Sequence, residues 1–250
     1  MITILSPAKN MKIEKNGTRP KSLPACLEDA QKVWEQLRTY GPPDLEILMK
    51  ISESLAEDSF DRIQSMKWDE KGTSAVETYD GIQYKYMDAG TFSEEAKSFA
   101  QEHVRILSGL YGVVRPYDSI YEYRLEMLTK LPVGESKNLY EFWGSRLYET
   151  LMKEMRGEPV ILNLSSEEYG KTIRKYVEEP ISFVSCTFKT FSKGKHKVLA
   201  TAAKMARGSM VRYIAMNQID DLEGIKQFDW NGYHYEESLS SQKELVFLQD

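Results

Sequence analysis

The stretch that decides the fold is Ile106-Leu107-Ser108-Gly109-Leu110-Tyr111-Gly112-Val113-Val114-Arg115-Pro116-Tyr117-Asp118-Ser119-Ile120-Tyr121-Glu122-Tyr123-Arg124-Leu125-Glu126-Met127. A helical pattern leads into it. Ser93 is placed to cap, Glu94 and Glu95 suit a first turn, and Ala96, Phe99, Ala100, His103 and Leu107 recur at helical spacing. Gly109 and Gly112 then bracket Leu110 and Tyr111 in a tight turn. Pro116 biases Arg115 away from helix and can itself open a new one, carrying Tyr117, Ile120, Tyr121, Arg124 and Met127. Two readings fit. One is a helix-hairpin-helix over about residues 94–127, whose turn amides at Ser108, Gly109, Leu110, Tyr111 and Gly112 would meet a nucleic-acid phosphate. The other is an αα-hairpin whose glycines only make a corner.

Outward from this stretch, the chain of 250 residues has no Pro/Gly/Ser-rich linker, internal repeat or low-complexity run, which favours one domain. Ile2 to Leu5 reads as a buried strand ending in Ser6-Pro7-Ala8-Lys9. Val160 to Leu164 reads as another, interrupted by Asn163. Ligands favour the carboxyl ends of strands in α/β sheets, so Ser6 and Lys9 are candidate phosphate contacts. After the second strand, Ser165 and Glu168 have capping-box spacing, and Lys171 lies in the helix they would open. Helices are expected over Pro24–Leu37, from Asp44, over Leu55–Met66, Leu139–Met155 and Ala203–Asn217. Ile181–Phe191 and Lys197–Thr201 are expected as paired strands, and Asn231-Gly232 as a hairpin turn before a last strand at Leu245–Phe247. Trp68–Met87 permits either a hairpin at Asp80-Gly81 or a short helix before Gly81. Gly208 sits inside a helix, where it costs ~1 kcal/mol relative to alanine, so a close approach to its backbone is expected.

The net charge of −5 is unevenly spread. Lys189, Lys193, Lys195, Lys197, Lys204, Arg207 and Arg212 follow one another without an acid; Lys9, Lys12, Lys15, Arg19 and Lys21 face only Glu14; the segment from Gln218 onward is acidic. Such segregation can build a positive cleft on an acidic body. Cys26 and Cys186 have no metal-type spacing and suit a reducing cytoplasm as small buried hydrophobes. The amino end has no signal-peptide pattern and no apolar run is long enough for a membrane span. His103, His196 and His234 are isolated, so no metal site or cofactor is expected.

In order along the chain, Ser6-Pro7-Ala8-Lys9, Leu107–Gly112 with Arg115-Pro116-Tyr117-Asp118, Tyr123–Met127, Phe142-Trp143-Gly144, Asn163–Tyr169, Ala203–Met210 with Arg212, and Glu244–Phe247 together resemble the YaaA family of bacterial peroxide-stress proteins. The resemblance implies a cytoplasmic protein that helps cells survive hydrogen peroxide, with less free iron and less DNA damage. It also implies an unusual α+β fold, a single domain of mixed sheet and several helices containing a helix-hairpin-helix, and a positive cleft binding double-stranded DNA with little sequence preference. Met205 departs from the second lysine often found there, and Ser165 from a common alanine. On this reading Arg115, Arg124, Lys9, Lys204 and Arg207 ring the cleft of a monomer. The rival is an enzyme acting on a nucleic acid or nucleotide, glycosylase- or lyase-like, through Lys9, Asn163 and Glu168.

Overall fold

In the computed structural model, residues 1–13, 17–68, 72–192 and 194–249 are described; Glu14, Lys15 and Lys193 of the basic clusters lie outside them. The elements that position the site run in the order β1 (Ile2–Leu5), α1 (Leu27–Leu37), α2 (Pro42–Met49), α3 (Glu53–Ser65), α4 (Ile82–Met87), α5 (Glu94–His103), β2 (Val104–Ser108) and β3 (Gly112–Val114). Then come α6 (Arg146–Glu154), β4 (Val160–Asn163), α7 (Glu167–Arg174), β5 (Ser182–Ser192), β6 (Lys195–Lys197), α8 (Ala200–Asn217), β7 (Tyr233–Tyr235) and β8 (Glu244–Gln249).

The sheet is ordered β7-β8-β5-β4-β1-β2-β3, with β6 paired to β5. Neighbours β2, β1, β4, β5 and β8 are all parallel, while β3, β6 and β7 add antiparallel partners at the margins. The α+β expectation is thereby corrected to a mixed α/β fold on a mainly parallel sheet. The reason is legible in burial: every residue of β1, β2 and β4 is buried on both faces, as strands covered on both sides must be. Cys26 and Cys186 are both buried and unpaired.

The expected helix-hairpin-helix is also corrected. Helix α5 ends at His103, and the apolar run that follows continues as β2, folding back through Gly109–Tyr111 into β3, with Leu107 opposite Val113. Leu107 fits a helical stripe and a both-face-buried strand equally well, and pairing with β1 decides for the strand. No second helix follows Pro116. Asp118 Oδ2 accepts the Arg115 amide at 2.8 Å, making a turn, and Ser119-Ile120 pairs with Thr73-Ser74.

Smaller shifts have local causes. Helix α2 begins at Pro42 rather than Asp44, because both prolines occupy the first turn, where their missing N–H is harmless. The expected helix over 139–155 breaks at Gly144, whose φ of +50° ends Leu139–Trp143 before α6 begins. Asp80-Gly81 leads into α4 and not into a hairpin turn, with a short helix at Ala75–Thr78 before it. Helix α8 starts at Ala200, so the return strand stops at Lys197. Gly208 has the close neighbour its position calls for, since the Gln83 carbonyl of α4 packs against its backbone.

Candidate functional site

Along the chain the parallel strands go from β1 to β2 on one side, then to β4, β5 and β8 on the other. The carboxyl ends of β1 and β4 therefore adjoin at the point where strand order reverses, the position of the ligand crevice in open α/β sheets. Ser6 and Lys9 follow β1; Asn163 ends β4, and Ser165, Ser166 and Glu168 follow it. The two loops are stitched together. The Ser166 amide donates to Ser6 Oγ at 2.8 Å, and Tyr84 Oη donates to the Ser6 carbonyl at 2.9 Å. Asn163 Nδ2 donates to Ser185 Oγ, while its Oδ1 accepts from the Ser165 amide and hydroxyl. That bond takes Ser165 away from the capping box: the cap residue is Ser166, and α7 starts at Glu167.

Around this crevice Lys9 Nζ pairs with Glu126 at 2.5 Å. Half-buried Glu168 accepts the Leu128 amide at 3.1 Å. Burial, and secondly the neighbouring Glu126, push the Glu168 carboxyl above the usual range, with Lys9 opposing. A carboxyl with a raised pKa stabilises the fold fully below its unfolded value, and that contribution is lost as pH rises through the folded value. Glu168→Gln is therefore expected to melt above the native protein at neutral pH and level with it near about pH 4. Equal melting at both pH values would contradict this placement.

The floor of the crevice holds residues that the sequence reading passed over as site residues. Burial raises the phenols of Tyr79, Tyr84 and Tyr169 well above their ordinary value and Tyr123 to about 12, and Tyr79, Tyr84 and Tyr169 all feel Tyr123 nearby. Ser108 Oγ accepts the Leu110 and Tyr111 amides at 3.1 and 2.9 Å, which fills its two lone pairs. Its own hydrogen then goes to Tyr123 Oη at 2.7 Å, and the Tyr123 and Tyr79 hydroxyls share a further hydrogen bond at 2.8 Å. Nothing local marks these four tyrosines, because they come from separate segments.

The same geometry corrects the hairpin as a phosphate contact. Ser108, Gly109, Leu110, Tyr111 and Gly112 are buried, with Leu110 at 0% and Tyr111 at 1% exposure, and the Leu110 and Tyr111 amides are taken by Ser108. Trp143 Nε1 donates to the Gly109 carbonyl, and the Trp143 ring packs on Gly112. This turn is a core corner. Arg115 is corrected too. It follows β3, whose Val114 lies opposite Ile106, so it sits beside Arg105 at the amino end of β2. There Arg105 Nε and Arg115 Nη2 each hold Glu154 at 2.5 Å. Arg115 is thus held by Glu154, with β2 and β1 lying between β3 and the strand of Asn163.

The late cations Lys204 and Arg207 lie on the helix that packs against β5. Ser185 pairs with Asn163, yet β5 continues to Ser192, about 20 Å beyond the end of β4. Helix α8 starts beyond that end and runs back. Arg207 lies against Cys186, one residue past the Asn163 level, and Lys204 stands exposed one turn earlier. Burial lowers the Arg207 pKa and pushes the Cys186 thiol up to about 12, and Arg207 Nε has no hydrogen-bond partner among the described residues. Arg124 is half-buried two residues before Glu126. Lys171 stacks on Tyr140 at 4.2 Å, where it borders a separate cleft of ≈ 360 Å³ shared with Trp143, Lys175 and Tyr176. Among the described residues no three His, Cys, Asp or Glu side chains gather as a metal-binding group, and no helix is long and apolar enough to cross a membrane.

Comparison with known proteins matches residues 1–239 to a family model described as peroxide stress protein YaaA. A UPF0246 protein of Clostridioides difficile is 48% identical over 250 residues, covering 100% of both chains. One of Lactiplantibacillus plantarum is 42% identical over 248 residues, 99% of each, and one of Pediococcus pentosaceus is 38% identical over 250 residues, 100% of this chain and 98% of the relative.

Proposed function

The chain belongs to the peroxide stress protein YaaA family, and from that premise we propose that it binds double-stranded DNA along the carboxyl edge of its sheet and limits iron-dependent oxidative damage there. The observation that supports this reading is the overrun of β5 past β4, which carries Lys189, and Lys195 and Lys197 on the strand paired to it, beyond the carboxyl end of β4. Lys9 follows β1 at that same end of the sheet, where Glu126 and Glu168 are its acidic neighbours. Lysine contacts displace condensed counterions from the phosphate backbone, which makes affinity fall steeply with salt and vary little with sequence. Arg115 and the Ser108–Gly112 turn play no part in it. The effect on iron is indirect, through protection of DNA.

The test is a titration of one duplex at several salt concentrations. Lys9→Ala and Lys204→Ala are each expected to weaken binding across all sequences and to lower the salt slope by about 1. Binding indifferent to salt would refute the reading.

A second reading, an enzyme acting on a nucleic acid or nucleotide, is favoured by the Lys9–Glu126 pair beside a Glu168 carboxyl with a raised pKa. Two carboxyls and an amine at a strand-order reversal are the parts needed for proton transfer or amine attack. Borohydride trapping on abasic duplex separates the readings: a covalent adduct that disappears in Lys9→Ala supports the enzyme, and none supports binding alone.

A further inference from the structure

Resting on the duplex-DNA reading and deepening it, we propose that the β5–β6 ribbon is an arm that enters the major groove of B-form DNA. Thr190 is still flanked by Gln249 of β8 on one side and by Lys197 on the other; beyond it the ribbon is two-stranded and pairs Phe191 with His196 and Ser192 with Lys195. Near its end Gly194 has φ +79°, with nothing among the described residues within 4 Å of where a Cβ would lie. The chain carries no acid between Glu179 and Asp220, and Lys189, Lys195 and Lys197 all lie on this ribbon. Two antiparallel strands are a width that the major groove of B-DNA, about 12 Å across, admits.

Lysines on an edge strand also guard against pairing with another sheet, which by itself accounts for Lys195 and Lys197. It does not account for the apolar side chains beside them. Phe191 is 54% exposed and Val198 is 52% exposed. The Phe191 ring is held on the ribbon by His196, their centroids 5.2 Å apart. An exposed ring flanked by lysines fits a groove wall that offers thymine methyls between two rows of phosphates. Lys204, exposed on the helix that follows the ribbon, is placed for the adjoining backbone. The deep, narrow major groove of A-form RNA excludes such an arm.

The experiment compares the full chain with Lys195→Glu/Lys197→Glu and with Phe191→Ala on a DNA duplex and on an RNA duplex of the same sequence. Charge reversal is expected to weaken DNA binding at least about tenfold and to reduce the salt slope by about 2 or more, whereas Phe191→Ala weakens it with the slope unchanged. Neither change is expected to alter RNA binding comparably. A measurement on the unaltered protein guards against misfolded variants: guanine N7, which lies in the major groove, should be protected from dimethyl sulfate methylation in the bound duplex. If the native protein binds duplex DNA yet leaves guanine N7 reactive, or both variants bind as it does, the arm is refuted. If the native protein fails to bind duplex DNA even at low salt, the DNA reading itself fails.

Discussion

Glu154→Ala is expected to destabilise the fold by about 3–5 kcal/mol, a fall in melting temperature of about 10 °C or more. Glu154 is the one carboxylate shared by Arg105 and Arg115 among the described residues, and the Arg105 side chain is only 3% exposed. Two Arg105 nitrogen–hydrogen bonds to the Gln101 and Val104 carbonyls hold the guanidinium in place, so it cannot follow its lost partner into water. Burial alone would push the Glu154 carboxyl up, but Arg105 and Arg115 outweigh it and hold it below the usual range. Its contribution is present above the unfolded carboxylate value and lost as pH falls through the folded one. Urea unfolding at neutral and acid pH checks both parts: the gap between native and Glu154→Ala should narrow as pH drops. A loss below about 1 kcal/mol at neutral pH would mean the pair is no better than a surface ion pair.

Gly208→Ala is expected to destabilise the protein by about 3 kcal/mol or more, although a helix interior ordinarily gains ~1 kcal/mol from that change. The sign is decided by tertiary packing. A Cβ at Gly208 would fall 2.0 Å from the Gln83 carbonyl oxygen, 2.9 Å from its carbon and 3.1 Å from the Met87 amide. All three are backbone atoms of α4 and cannot rotate aside, so α8 and α4 would have to separate, opening the core around Ala206 and Met210. Gly90→Ala is the control, since nothing lies within 4 Å of its Cβ position, and it should leave the melting temperature nearly unchanged. Stabilisation by Gly208→Ala would show that the helices do not cross where they are placed.

The same two sites show how far a sequence can be read. Gly208 was legible because a glycine in a strongly patterned helix is locally expensive, and the expense has to be answered by something. Glu154 was not. It lies at the end of a helix rich in charged residues, and its partners come from 49 and 39 positions earlier, through β2 and β3. Lys9, Asn163 and Glu168 were legible as strand-end and helix-start residues, and the crevice brings their loops together. Tyr79, Tyr84, Tyr123 and Tyr169 were not, since a buried tyrosine looks like core until its hydroxyl is traced.

The sequence by itself determined what local chemistry determines: the apolar runs that became β1 and β4, the Asn231-Gly232 turn with both residues at positive φ, and the inward face of α8. It also fixed the charge segregation and the family motifs. Only the tertiary structure decided that Val104–Ser108 is a strand, that the glycine turn is a sealed corner, and that Arg115 is paired with Glu154. Periodicity states which faces of a segment must leave water, but a run buried on every face satisfies helix and strand alike. The choice between them, and the end of the sheet at which each charge emerges, is made when β1 hydrogen-bonds to strands about a hundred and more residues away.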